Sequence, residues 1–423
     1  MKKLNTYFFL FAAVFAIAIS FIFVWYQSTQ VVSDELSGDP NSRASLSIAT
    51  LSEQLEKDPK NLKLTIALAD AYMQKIRETG DASLYLKIEE ALDQISNDMD
   101  TNGAVLAKRA EIANGRHDFV QALAYITQAL DKSPQSASYH GIKTDSEIEL
   151  GKYADAETSL QKMVDLKPNF GSFSRVAYQR QLHGDLEGAL EAWDSAISAG
   201  SIYPENTAWA LTEAGKLRMS SDVEMAKRDF TKAIASYPAY APALEGLARV
   251  AFTQGNMEDA LTYYSRAFEA LPVAANATAL GNFYLVEGDQ AKAKQYYALA
   301  ELAYLDSKGT NVDLEYSVFL ADHGDASKAL ERAASAYENR QSIYTADAYA
   351  WALHKNGQSV KAEQYIEEAM SLGGHDSGIL YHAAMVAKAN GNIEISNGYL
   401  SRARELDEVA SLVYSQALNN KDS

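Results

Sequence analysis

The chain has 423 residues, with 56 acidic against 38 basic side chains, a formal net charge of -18 and no cysteine. Without cysteine there can be no disulfide, thiolate nucleophile, cysteine-ligated metal or cysteine-linked lipid, and the acidic balance argues against nucleic acid, whose binders place Lys and Arg on phosphates. At 47% apolar and 22% charged, the composition excludes disorder and leaves two or three domains or one extended repeat array.

The first predicted element is a membrane helix. Lys2 and Lys3 precede an apolar run from Tyr7 to Tyr26, interrupted only by Ser20. A helix of that length spans about 30 Å, the thickness of a bilayer's hydrocarbon core. Tyr7, Trp25 and Tyr26 stand at its ends, where aromatic rings favour the headgroup level. The run is longer than the apolar region of a cleavable leader, so it reads as an uncleaved signal anchor. The next basic residue is Arg43, so the positive-inside bias leaves residues 1–6 in the cytoplasm and carries the rest across. That predicts a single-pass protein of the bacterial inner membrane, with its folded part periplasmic. Residues 27–43 are polar and read as a flexible spacer.

Residues 44–100 start the folded part irregularly. Ala44–Leu55 is amphipathic and stops before Asp58-Pro59, Leu62–Met73 forms a second helix, and Leu84–Ile95 a third beyond an insertion. Asp98-Met99-Asp100-Thr101-Asn102-Gly103 matches the start of a calcium loop, but Arg109 stands where a bidentate Glu is needed. The segment therefore reads as the N-cap of the following helix.

From residue 103 to 410 the chain repeats nine times. Small residues recur at Ala122, Ala156, Ala189, Ala226, Ala260, Ala293, Ala329, Ala362 and Ser396, with gaps of 33 to 37 residues. Four residues after each stands a larger apolar side chain in most units (Ile126, Leu160, Trp193, Phe230, Tyr264, Tyr297), and seven after stands an alanine in all but one. These positions share one helix face, where two close backbone approaches flank one bulky plug. Seven units carry a glycine five residues before the small one, fit to end the preceding helix with positive φ. Pro134, Pro168, Pro238 and Pro272 stop four of the second helices. Each unit is thus a helix–turn–helix pair that must stack on neighbours to bury its face.

The pattern resembles the tetratricopeptide repeat family, best in Ala241 to Pro272, where Leu247, Ala248, Gly255, Ala260, Tyr264, Ala267 and Pro272 fall on signature positions. The resemblance implies an all-α, right-handed superhelical solenoid, here preceded by one transmembrane helix. Residues 411–423 then form a C-terminal cap and tail. The family binds ligands on the concave surface lined by the first helix of each pair. Carried over, those positions are Tyr178, Gln181, Arg249, Phe252, Asn282, Asp347, Trp351, His354, Tyr381, Met385 and Lys388. The mixture of aromatic, amide and cationic groups suits an extended peptide or an amphipathic helix of a protein partner. The carboxylate clamp of chaperone-binding members is missing, with Ala107 and Glu111 in two of its slots.

Catalytic, cofactor and metal sites are not expected. The seven histidines are scattered, and there is no His-Glu-x-x-His pair, nucleophile elbow or phosphate-binding glycine loop. Asn276-Ala277-Thr278 is a formal glycosylation sequon, and the 25 tyrosines read mostly as core filling. The expectation is a non-enzymatic, membrane-anchored scaffold for assembly of a cell-envelope complex, for which self-association is compatible. Leu51–Met73 is similar to repeat domains of cytochrome c assembly factors. The alternatives are an enzyme or carbohydrate-processing or export accessory on a repeat frame, and a cytosol-facing organellar import receptor.

Overall fold

The structure, a computed structural model, describes residues 43–95, 102–307, 311–410 and 412–413. The expected membrane helix over 7–26, with Tyr7, Trp25 and Tyr26, lies outside the described residues, as do the spacer up to residue 42 and Asp98 and Asp100. Among the described residues, no helix is long and apolar enough to cross a membrane, and there is no strand.

The described residues form twenty-one α-helices. Three precede the regular array: α1 (Arg43–Lys57), α2 (Leu62–Thr79) and α3 (Leu84–Gln94). Nine antiparallel pairs follow. They are α4 and α5 (Gly103–Gly115, Phe119–Lys132), α6 and α7 (Ala137–Glu149, Tyr153–Leu166), and α8 and α9 (Phe170–Leu182, Leu186–Ala199). The middle pairs are α10 and α11 (Pro204–Arg218, Val223–Ser236), α12 and α13 (Ala241–Thr253, Met257–Ala270), and α14 and α15 (Ala274–Val286, Gln290–Leu305). The last are α16 and α17 (Asp313–His323, Ala326–Asn339), α18 and α19 (Ile343–Lys355, Ser359–Ala369), and α20 and α21 (Ser377–Ala389, Ile393–Leu406). Each helix packs most closely on its pair partner and next on the following pair, which makes the chain an all-helical tetratricopeptide-like solenoid.

The small-residue column explains the packing. All nine side chains, Ala122 through Ser396, are at most 2% exposed. The plug four residues later enters a facing notch: the Phe230 ring lies where a Cβ on Gly215 or on Gly246 would stand, at 2.7 and 2.5 Å, and the Tyr297 ring fills the notch at Gly281. Gly215 thus fixes the register of α10 against Phe230. Deleting such a buried aromatic ring costs roughly 3–5 kcal/mol.

The turns follow the glycine column in six of the nine units, and the unit around Ala226 has Ser221 there without a positive φ. Gly151, Gly184, Gly255, Gly288, Gly357 and Gly391 take φ between 71° and 85°. Gly324 does not: α16 runs on to His323 and Gly324 closes it at φ -127° and ψ -140°. In the first regular unit the column position is His117, which takes φ 59° without being glycine.

Successive turns of the superhelix touch. Arg340 Nη1 donates to Glu149 Oε2 at 2.6 Å across 191 residues, and the Ile343 backbone N–H donates to Tyr153 Oη at 2.9 Å across 190. Ile148, Ala156 and Leu182 form one apolar cluster with Ile343, Ala346 and Ile379. The separation is between five and six units of about 34 residues, so this is the length of one superhelical turn. At the start of the array Gly80 meets the Leu271 side chain, which continues the same seam.

Candidate functional site

The first helices of three consecutive pairs, α12, α14 and α16, line an open cavity of about 340 Å³. Buried alanines on α12 (Ala248, Ala251) and α14 (Ala274, Ala277) let these helices approach closely, so the larger residues between them project together. Phe252 and Phe283 meet edge-on with centroids 6.4 Å apart, and Tyr264 tilts against Phe283 at 5.9 Å. These rings form an apolar floor. Glu245, Glu315 and Asp322 supply an acidic wall, with Arg249 among them. Burial opposes the Arg249 charge, but a neighbouring carboxylate, Asp407, holds its pKa above the ordinary arginine value. Burial pushes the Tyr264 hydroxyl up as well, so it stays neutral.

Of the sequence-predicted residues, Arg249, Phe252 and Asn282 converge on this cavity. Asn282 is already engaged: its Oδ1 accepts from Tyr297 Oη at 2.9 Å. Tyr178 lies instead at the seam between superhelical turns, packed with Tyr153 and Tyr344 against Ile343, and burial pushes its hydroxyl far up. Gln181 on the same helix is half-buried, and Lys388 is exposed.

The C-terminal candidates lie beneath the surface. Trp351 is 2% exposed, and Asp347, Tyr381 and Met385 are buried too. The Trp351 ring stacks on His382 at 4.2 Å and on His354 at 5.1 Å, while its Nε1–H donates to Asp322 Oδ1 at 2.8 Å. Asp347 Oδ2 lies 2.9 Å from His382 Nδ1. His354 is half-buried, with Nδ1 2.9 Å from Ser359 Oγ. These residues brace three helices and shape the acidic wall through Asp322. Side chains of the same and neighbouring first helices, Asp322, His354 and His382, cover Trp351 and Tyr381 here.

Other motifs also resolve into structural roles. Asn102 Oδ1 accepts from the Ala104 N–H at 2.9 Å, an N-cap of α4. Asn276 is buried and its Nδ2 donates to the Leu271 carbonyl at 2.7 Å, closing the C-terminus of α13. No cluster of three or more metal-ligating side chains occurs among the described residues.

What the sequence reading missed is the occupant of the cavity. A C-terminal cap and tail was expected from residue 411 onward. Instead the chain turns at Asp407, and Val409, Ala410 and Val413 line the cavity opposite Phe252 and Phe283. The available signal was the apolar pair Val409 and Val413, one helical turn apart after a polar helix.

The geometry is that of a helical-repeat solenoid with an open cavity between three first helices. The tetratricopeptide repeat model matches residues 108–169 and 220–275, so the chain carries tetratricopeptide repeats. Among solved structures, the type IV pilus biogenesis factor PilW is 19% identical, covering 49% of this chain and 96% of its own, with a TM-score of 0.40. A human IFIT1 dimer with m7Gppp-AAAA is 14% identical, covering 89% of this chain and 93% of its own, with a TM-score of 0.47. A tetratricopeptide repeat protein from Parabacteroides merdae is 16% identical, covering 59% and 98%, with a TM-score of 0.33. No curated protein matches the chain.

Proposed function

We propose that the protein is a non-enzymatic scaffold that takes a segment of a protein partner into the groove between α12, α14 and α16. The convergence of Arg249, Phe252 and Asn282 on one open cavity carries this reading. An aromatic floor supplies the apolar contact area that dominates peptide affinity, and the single cation among carboxylates sets direction. We further propose that residues 7–26 anchor the protein in the bacterial inner membrane with the repeats on the periplasmic side, where the scaffold serves assembly of a cell-envelope complex. The support is the length of the apolar run and the two lysines before it.

Two experiments test these statements separately. A photo-crosslinking amino acid at Thr278, inside the cavity, is expected to capture a partner that the same residue at exposed Val360 does not; equal capture at both positions would overturn the groove. Fusions of the C-terminus to a phosphatase active only outside the cytoplasm and to a fluorescent protein active only inside should give phosphatase activity alone. Fluorescence alone would reverse the orientation.

A further inference from the structure

We propose that Asp407, Val409, Ala410 and Val413, where the chain turns after α21, act as an internal ligand of the groove. The partner it stands in for is then a short helix with a carboxylate at its N-cap and β-branched aliphatic side chains two and six residues later. This inference rests on the groove being a protein-binding site and adds the chemistry of what it takes.

Asp407 does three things at once. Its backbone N–H donates to the Ala403 carbonyl at 2.9 Å and ends α21. Its Oδ1 accepts from the Ala410 N–H at 2.9 Å and starts a new helical turn. Its Oδ2 pairs with the Arg249 guanidinium, 158 residues away. The direction of the new turn is therefore set by the cation in the groove. Val409 is 6% exposed, packed with Phe252, Tyr264 and Phe283, whereas Leu412 is 42% exposed. Val413, one turn after Val409, lines the same cavity. An N-capping carboxylate, an inward valine and a second valine on the same face form a docking pattern, with Leu412 left outside it.

The occupant fills only part of the groove, since the cavity beside Val409 and Val413 remains about 340 Å³. A tethered segment works at an effective concentration of about millimolar, so even weak contacts keep it in place. A free partner with the same pattern must displace it, and its apparent affinity falls by the fraction of molecules with the groove open. The tail thus sets a threshold for capture.

The test uses the full chain and a fluorescent peptide carrying the sequence of residues 404–417. In wild type the tail competes, and in Asp407→Arg/Val409→Ser it does not. Fluorescence anisotropy is expected to show at least tenfold tighter peptide binding by the double variant. Adding Arg249→Glu to that variant, or placing Ser at the position of Val409 in the peptide, should abolish the gain. Circular dichroism checks the fold, and Val409→Ala alone, with a smaller gain in the same direction, serves if the double variant does not fold. Equal affinity for wild type and variant, or no binding by a folded variant, would overturn the internal-ligand proposal. A variant that ignores this peptide but crosslinks from position 278 to peptides of other patterns loses the inference and keeps the groove. One that crosslinks to none loses both.

Discussion

His117 Nδ1 lies 2.8 Å from the backbone carbonyl oxygen of Asn311, one superhelical turn further along the chain, and the Asn311 N–H donates back to the Arg116 carbonyl at 3.0 Å. Since a carbonyl only accepts, Nδ1 carries the proton. His117 occupies the turn position that most other units give to glycine, with φ 59°. A left-handed conformation costs a residue with a Cβ about 1–2 kcal/mol, and the contact to the next turn offsets it. His117→Ala keeps the strain and loses the contact, whereas His117→Gly loses both. Urea unfolding should rank wild type first and the alanine variant last, about 1 kcal/mol below the glycine variant; equal alanine and glycine variants would remove the strain argument.

The same column separates local from long-range demands on glycine. Gly255 and Gly151 have φ 74° and 71°, but a Cβ on Gly255 meets open space and one on Gly151 falls 2.0 Å from the Gln341 carbonyl oxygen. Gly255→Ala should cost about 1 kcal/mol from the backbone alone. Gly151→Ala must also push the turns apart, and should lower stability by at least twice as much while raising the radius of gyration in small-angle scattering. Equal costs at the two sites would mean that the turns do not touch in solution.

Arg340 clamps that seam from the other side. Its half-buried side chain pairs with Glu149 and lies over the Phe119 ring at 4.9 Å. Burial pushes the Glu149 carboxyl up, although Arg340 pulls it down. Arg340→Ala strands that carboxylate and should cost about 2 kcal/mol. Replacing both partners by methionine should recover most of the loss; a double variant as unstable as the single would show that the charge pair itself is required.

Two histidines give stability opposite pH signs. Burial lowers the His354 pKa to about 4, with Lys355 and His382 adding to the effect. The unfolded chain therefore binds that proton first, and stability falls as pH drops from about 6.5 towards the folded value. For His382, burial opposes the charge but Asp347 beside it raises the pKa overall. Its contribution is complete below about pH 6.5 and fades as pH rises through the raised folded value. Thermal unfolding across pH should show a shallower acid-side loss in His354→Gln and a smaller alkaline-side loss in Asp347→Asn. Profiles parallel to wild type would disprove both assignments.

Asn276 illustrates a motif consumed by the fold. The Leu271 carbonyl accepts from both the Asn276 amide and the Val273 N–H, so Asn276→Ala removes one of two donors and should cost about 0.5–1.5 kcal/mol. Expression in a glycosylating host should leave the mass of the folded protein unchanged; a glycan at Asn276 would require α14 to open.

The helix pairs were legible because their information is local. A small residue, a plug four later and an alanine seven later mark one helix face, and a glycine five residues earlier marks most turns. Such short-range spacing survives in the chain whatever the array does as a whole. The long-range arrangement was not legible, since nothing near His117 points to Asn311 and nothing near Asp407 points to Arg249. Those contacts depend on the small rotation added at each unit, summed over several units until distant parts of the coil meet. Neighbouring first helices bury Trp351 and Tyr381, which family position assigns to a ligand face, and the coil brings Val409 onto Phe252. Repeat spacing therefore defined the building unit and its packing face, while the accumulated geometry of the coil decided which of those faces remain open and what fills the groove.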